Sequence, residues 1–230
     1  MVFFATRGLL TKSYNPVFAE NEWSAIIEAC HANEVPDEWV ADGTCYKDML
    51  INGTNYRIDI IGKNHDDLSD GTGKAPLTFQ LHDCYATTYQ IHNANSNVGG
   101  WTGCNMRNIH LPAILELMPS DVRSGIREVQ KLTGNSSGNI LTTNDKLFLL
   151  SEIELYGDIG NSLDGEGTQY SYYKSGVNTR IKNVNGIASF WWTRSPDYEL
   201  GNYFVFISID GSRSEDFART HMGASFAFCF

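Results

Sequence analysis

Residues 191–230 read WWTRSPDYELGNYFVFISIDGSRSEDFARTHMGASFAFCF, and they decide the fold class. Three runs at this end have strand length and are dense in aromatic and β-branched side chains: 190–194, 203–209 and 224–230. Asp210-Gly211 supplies a turn after the second. The last run is apolar almost throughout, which predicts a strand in the middle of a sheet, with Phe226 and Phe228 in the core. Neighbouring strand residues point to opposite faces, so one of Trp191 and Trp192 is expected in the core and the other towards a loop or the surface. A surface indole would stack on a sugar or peptide. The preferred reading is that both are packing residues, because Trp is strongly buried on average.

Working back from there, KLFLL at 146–150 reads as a buried strand and 151–156 as a turn leading out of it. Residues 157–186 are rich in Gly, Asn, Ser and Tyr, with one helical patch at 170–174. Ser120 caps a helix after Pro119 whose apolar side holds Val122, Ile126, Val129 and Leu132, ending at the break 134–138. Met106, Ile109, Ile114, Leu117 and Met118 give another helical signal, which Pro112 starts or kinks. Residues 77–81 read as a strand, and 62–75 and 92–100 as polar loops. Asn52-Gly53 joins runs 44–51 and 55–61, the strongest short-range hairpin signal. Trp23, Ile26, Ile27 and Cys30 recur at helical spacing within 21–31, with Asn21 as cap. The pattern predicts one α+β domain at 20–230, with a mixed, mainly antiparallel sheet, two or three helices and long ordered loops. Residues 1–19 read as an arm, and apolar residues 2–10 are its candidate attachment or subunit contact.

The chain has 230 residues and a net charge of −10, from 17 basic and 27 acidic side chains. With no Lys/Arg cluster it lacks the electrostatic footprint that phosphate backbones require, so no nucleic-acid partner is expected. No apolar run is long enough for a bilayer, so no membrane insertion is expected; nor is a signal peptide recognisable, so synthesis in a bacterial cytoplasm is expected. Five cysteines without a CxxC pair read as buried free thiols.

Several stretches resemble a family of uncharacterised domains common in phages and prophages of gut bacteria. They are IDIIGKNHDD (58–67), LTFQLHDCY (77–85), GGWTGCNMR (99–107), LPAILELMP (111–119), TNDKLFLLSEIELYG (143–157), EGTQYSYYKSGVNTRIKN (166–183), WWTRSP (191–196) and GASFAFCF (223–230). The order of helix, hairpin, loop-rich middle, WW and terminal strand is similar to the C-type lectin-like fold. That fold carries the variable receptor-binding proteins of diversity-generating retroelements, whose diversified segment lies at the extreme C-terminus. The resemblance implies a virion protein, an adhesin or tail-fibre or head-fibre tip, that binds a host-surface protein or glycan, contacts other virion subunits and forms a homotrimer. The stretch corresponding to the diversified segment is 197–222. A decoration or collar protein of the virion is the alternative, and an enzyme similar to the formylglycine-generating enzymes the second alternative.

Within 197–222 the candidate ligand-binding residues are Asp197, Tyr198, Glu199, Asn202, Tyr203, Ser212, Arg213, Glu215, Asp216, Arg219 and His221. Tyrosine gives contact area at low entropic cost, and small polar residues give adaptable hydrogen bonds. The competing reading is ordinary polar loop residues beside two strands. Asp66, Asp67 and Asp70 have the oxygen ligands that Ca²⁺ takes, but their spacing is not that of an EF-hand and a fixed structural loop is the preferred reading. No cofactor is expected. Nor is catalysis: Cys84, Cys104 and Cys229 have no evident base, and His82-Asp83-Cys84 are merely adjacent, whereas catalytic pairs are assembled in space.

Overall fold

Asn52 and Gly53 both have left-handed backbone (φ 48° and 79°), which these two residues adopt at low cost. They join β1 (Tyr46–Ile51) to β2 (Thr54–Lys63) with Ile51 opposite Thr54 and Tyr46 opposite Asp59. β3 (Leu77–Leu81) pairs antiparallel with β2, and β13 (Ala227–Cys229) pairs antiparallel with β3. The computed structural model describes residues 13–41, 45–174 and 179–230; the attachment contact proposed at 2–10, within the arm read at 1–19, lies outside them.

Around this sheet the chain is α+β, with mainly antiparallel pairing. α1 (Trp23–His31) covers it, and Trp23, Phe18, Phe228 and Phe230 close around Phe79 with ring centroids 5.2–6.2 Å apart. β4 (Tyr89–Gln90) follows β3, then α2 (Gly100–Gly103), a π-helical turn (Met106–His110) running into α3 (Leu111–Leu117), and α4 (Ser120–Gly125). Next come the hairpin of β5 (Val129–Gly134) and β6 (Ile140–Asp145), α5 (Glu152–Tyr156) and α6 (Ser171–Lys174). A small hairpin of β7 (Lys182–Val184) and β8 (Ile187–Ser189) leads to the three-stranded sheet of β9 (Trp191–Pro196), β10 (Tyr203–Ile207) and β11 (Arg213–Phe217). β12 (His221–Met222) pairs with β4 and brings the chain back to β13.

Several expectations are corrected here. The helix read at 120–132 stops at Gly125, and 129–134 is strand: Val129, Lys131 and Thr133 face inward while Gln130 and Leu132 face out. A lysine on the buried side hides this alternation from a hydrophobicity pattern. Residues 147–150 are buried but extended without a ladder, bridging β13 only at Phe148–Ala227. Residues 151–156 form a helix with a capping box, since Ser151 Oγ accepts the Glu154 N–H and the Glu154 carboxylate accepts the Ser151 N–H. Asn21 does not cap α1, whose N-cap is Glu22; it closes the 3-10 turn Phe18–Glu20 instead, and its amide donates to the carbonyls of Asn15, Val17 and Phe18. β13 ends its ladder rather than lying within it, although bridges to Phe148 and Arg127 cover its other side. Trp191 and Trp192 are both fully buried, each with its indole N–H on a carbonyl, Arg180 and Tyr89 respectively. The three-stranded sheet is therefore covered on both faces at this point, and neither indole reaches a surface.

Candidate functional site

The N-terminus of α5 builds one wall of a surface cleft. Glu152 is fully buried, and its carboxylate accepts the N–H groups of Gly160 (2.9 Å), Asn161 (3.2 Å) and Ser162 (2.9 Å) and the Ser162 hydroxyl (2.6 Å). A carboxylate that accepts three successive backbone N–H groups ties the loop 160–162 to α5. Arg213, on β11, lies against the same carboxylate at 3.3 Å and pairs with Asp158 at 2.6 Å. Asn161 in turn donates to Glu215 (2.8 Å), and its carbonyl accepts the Tyr198 N–H (2.9 Å).

Asn97 builds the other wall. Its side-chain amide donates to the carbonyls of Asp197 (2.8 Å), Leu200 (3.0 Å) and Tyr203 (2.8 Å), so one buried side chain holds both ends of the loop between β9 and β10. The Asp197 carboxylate accepts the N–H groups of Glu199 and Leu200 from within. Between the walls lies a cavity of about 270 Å³ lined by 159–162 and 197–199. Ile159, Tyr198 and Glu199 are exposed at its mouth, with Tyr198 half exposed.

The eleven residues singled out in 197–222 therefore divide. Tyr198 and Glu199 face the cleft. Asp197 is buried and holds the loop from inside, so it is withdrawn as a ligand contact. Arg213 and Glu215 are ladder residues of β11 that brace the opposite wall through Asp158, Glu152 and Asn161. Tyr203 stacks on Phe217 at 4.5 Å, and Asp216 accepts the Phe217 N–H. Asn202 accepts the Ala218 N–H through its carbonyl. Ser212 sits at the hairpin tip on Asp210. Arg219 and His221 are exposed beside β4, away from the cleft. Residues 159–162, Glu152 and Asn97 were not singled out in the sequence. The Ser-x-x-Glu pattern at 151–154 was the legible signal for the helix that carries Glu152.

The three aspartates read as oxygen ligands point to different partners. Asp67 pairs with Lys74, and Asp70 with Thr72 and Arg127. Asp66 is buried on Lys131 (2.6 Å), Tyr170 (2.9 Å) and Thr78. Among the described residues no group of three acidic, His or Cys side chains converges to hold a metal. Asp66 belongs instead to a buried ionic chain: Lys131 also meets Glu154 at 2.6 Å, and Glu154 takes two nitrogens of the fully buried Arg194. Burial would raise the Asp66 carboxyl, but Lys131, Thr78 and His65 together outweigh it and bring the group down to about 2. Burial opposes the charge on Lys131 too, and its two carboxylate partners hold that ammonium above its ordinary value. Glu166, hydrogen-bonded to the Gly134 N–H and to Ser195, is pushed up by burial to about 7. The thiols of Cys30, Cys84 and Cys104 are pushed up by burial to about 12, and Cys229 also upward, against thiolate chemistry at these positions.

A family model described as "Domain of unknown function (DUF6273)" matches residues 77–229. The chain belongs to this family. No curated protein and no solved structure matches it. The DUF6273 span contains both walls of the cleft and three of the four members of the ionic chain. Asp66 and the β1–β2 hairpin precede it yet complete the same sheet and the same buried chain.

Proposed function

We propose that this DUF6273 domain is a non-catalytic, C-type lectin-like ligand-binding module of a phage virion, an adhesin at a fibre tip, which grips a host-surface protein or glycan in the cleft between 159–162 and 197–199. The observation that carries this reading is the cleft's construction. Both walls are held from below, by Glu152 and by Asn97, while the side chains at the mouth make none of those bonds. Tyr198 and Glu199 can thus be exchanged without loosening the framework, as a surface selected for varied partners requires. Because the loops are already ordered, little conformational entropy is lost on binding. Tyr198 acts as the aromatic anchor, Asn161 and Glu199 supply hydrogen bonds, and several copies on one particle gain avidity. The phage setting rests on the resemblance of the quoted motifs.

The test is binding of the full chain to an immobilised panel of bacterial surface glycans and surface proteins. Tyr198→Ala is expected to weaken binding by about tenfold or more, and Arg219→Ala, outside the cleft, to leave it unchanged. Equal binding by wild type and Tyr198→Ala would sink the proposal.

A further inference from the structure

A second cleft, of about 170 Å³, opens beside the turn end of the β1–β2 hairpin, with Arg57, His82, Asp83 and Asn183 on its walls. Beneath it Asp59 is buried, 2 % exposed, and takes three donors: His82 Nδ1 (2.6 Å), Arg57 Nε (2.7 Å) and the Tyr172 hydroxyl (2.8 Å). Asp83, next to His82 in sequence, is instead occupied by the Asn183 N–H and side-chain amide. The partner of His82 thus comes from β2 and not from its neighbour in sequence.

This arrangement fixes Arg57 and His82 by one edge each and leaves the other edge free. Asp59 binds the Nδ1 edge of the imidazole, so Nε2 is turned away from the core, and the side chain is 36 % exposed. Arg57 spends only Nε on Asp59; its two terminal nitrogens make no hydrogen bond among the described residues, and its guanidinium plane rests on the Tyr46 ring at 3.9 Å. Asp48, opposite Arg57 on β1, accepts from Asn55 rather than from the arginine. Lys182 is buried nearby, its ammonium on the Leu81 and His82 carbonyls (2.8 and 2.6 Å). The unused guanidinium fork is a preorganised pair of donors for a planar or tetrahedral oxyanion, and His82 Nε2 joins it as a donor when the ring carries both protons, since with Nδ1–H alone Nε2 is an acceptor.

We infer that this second cleft binds a small ligand through an oxyanion, carboxylate or phosphate, held between the Arg57 fork and the Nε2–H of the doubly protonated His82 ring. The site is separate from the Tyr198 cleft and stands or falls independently of it.

The experiment titrates the full chain at a pH of about 5.5, below the ordinary imidazole value, with inorganic phosphate and, separately, with acetate, following the His82 ring signals by NMR and the heat by calorimetry. A saturable shift of the His82 ring is expected with at least one anion, and which anion responds assigns the ligand class. His82→Asn places an amide where Nδ1 stood, keeping the bond to Asp59 while removing Nε2. Arg57→Gln removes the fork. Each is expected to weaken the anion by about tenfold or more, the loss of one charge-assisted hydrogen bond. Absence of a saturable response to both anions overturns the inference, as does undiminished binding by folded His82→Asn. If His82→Asn fails to fold, Arg57→Gln decides, because its guanidinium is part exposed and undiminished binding there overturns the inference equally.

Discussion

Replacing Glu166 by glutamine is expected to stabilise the protein at alkaline pH. In the buried chain Asp66 and Glu154 are balanced by Lys131 and Arg194, so Glu166 is a fifth ionisable group with no cation of its own. Burial raises its carboxyl from 4.5 to about 7, only partly opposed by Ser195 and Arg194. The folded state therefore holds a proton that the unfolded chain releases. The stability contributed by that proton is fully present below 4.5 and is lost as pH rises through about 7. At ~1.4 kcal/mol for each tenfold change in the protonation constant, the loss is about 3 kcal/mol. Glutamine is neutral and nearly isosteric, and its carbonyl oxygen can keep the Gly134 N–H. Urea unfolding of both proteins at several pH values isolates the effect, since all other titrations cancel in the difference. The advantage of Glu166→Gln over wild type is expected to grow by about 3 kcal/mol between pH 4 and pH 8.5. A difference that stays constant across that range refutes the reasoning.

Three further outcomes follow from the same framework. Lys131→Met leaves Asp66 buried without its cation and is expected to cost about 3–5 kcal/mol in urea unfolding; adding Asp66→Asn should recover part of it, and strict additivity of the two losses would contradict the pairing. The Asp66 carboxyl, lowered from 3.8 to about 2, contributes about 2 kcal/mol that is complete above 3.8 and vanishes as pH falls through 2. A carboxyl carbon signal of Asp66 that titrates near 4 would contradict this. Asn97→Ala strips three carbonyls of their donor and is expected to cost about 2–4 kcal/mol and to speed amide exchange in 197–203; unchanged exchange there would show that the loop does not depend on Asn97.

The parts of the fold that were legible from sequence are those whose cause is local. Asn52-Gly53 announced its hairpin because both residues tolerate left-handed backbone, and the same pair at Asn185-Gly186 (φ 51° and 81°) turns β7 into β8, although strands of three residues left no pattern to notice. What sequence could not show has non-local causes. Lys131 faces inward because Asp66 and Glu154, from elsewhere in the chain, neutralise it, so a strand masqueraded as the end of a helix. Asp197 looked like a surface carboxylate until its own loop closed on it. Tyr198 and Glu199 were singled out within the segment that the resemblance marks, but the opposite wall of their cleft depends on a carboxylate 45 residues upstream of Asp197 that no spacing rule connects to it.

The most direct test of the account is hydrogen exchange of the full chain with and without a surface ligand captured from the glycan and protein panel. Slowed exchange concentrated at 158–162 and 197–203 is the expected result. Protection confined to other surfaces, with these two loops unchanged, would contradict the claim that the cleft between them is where the protein binds.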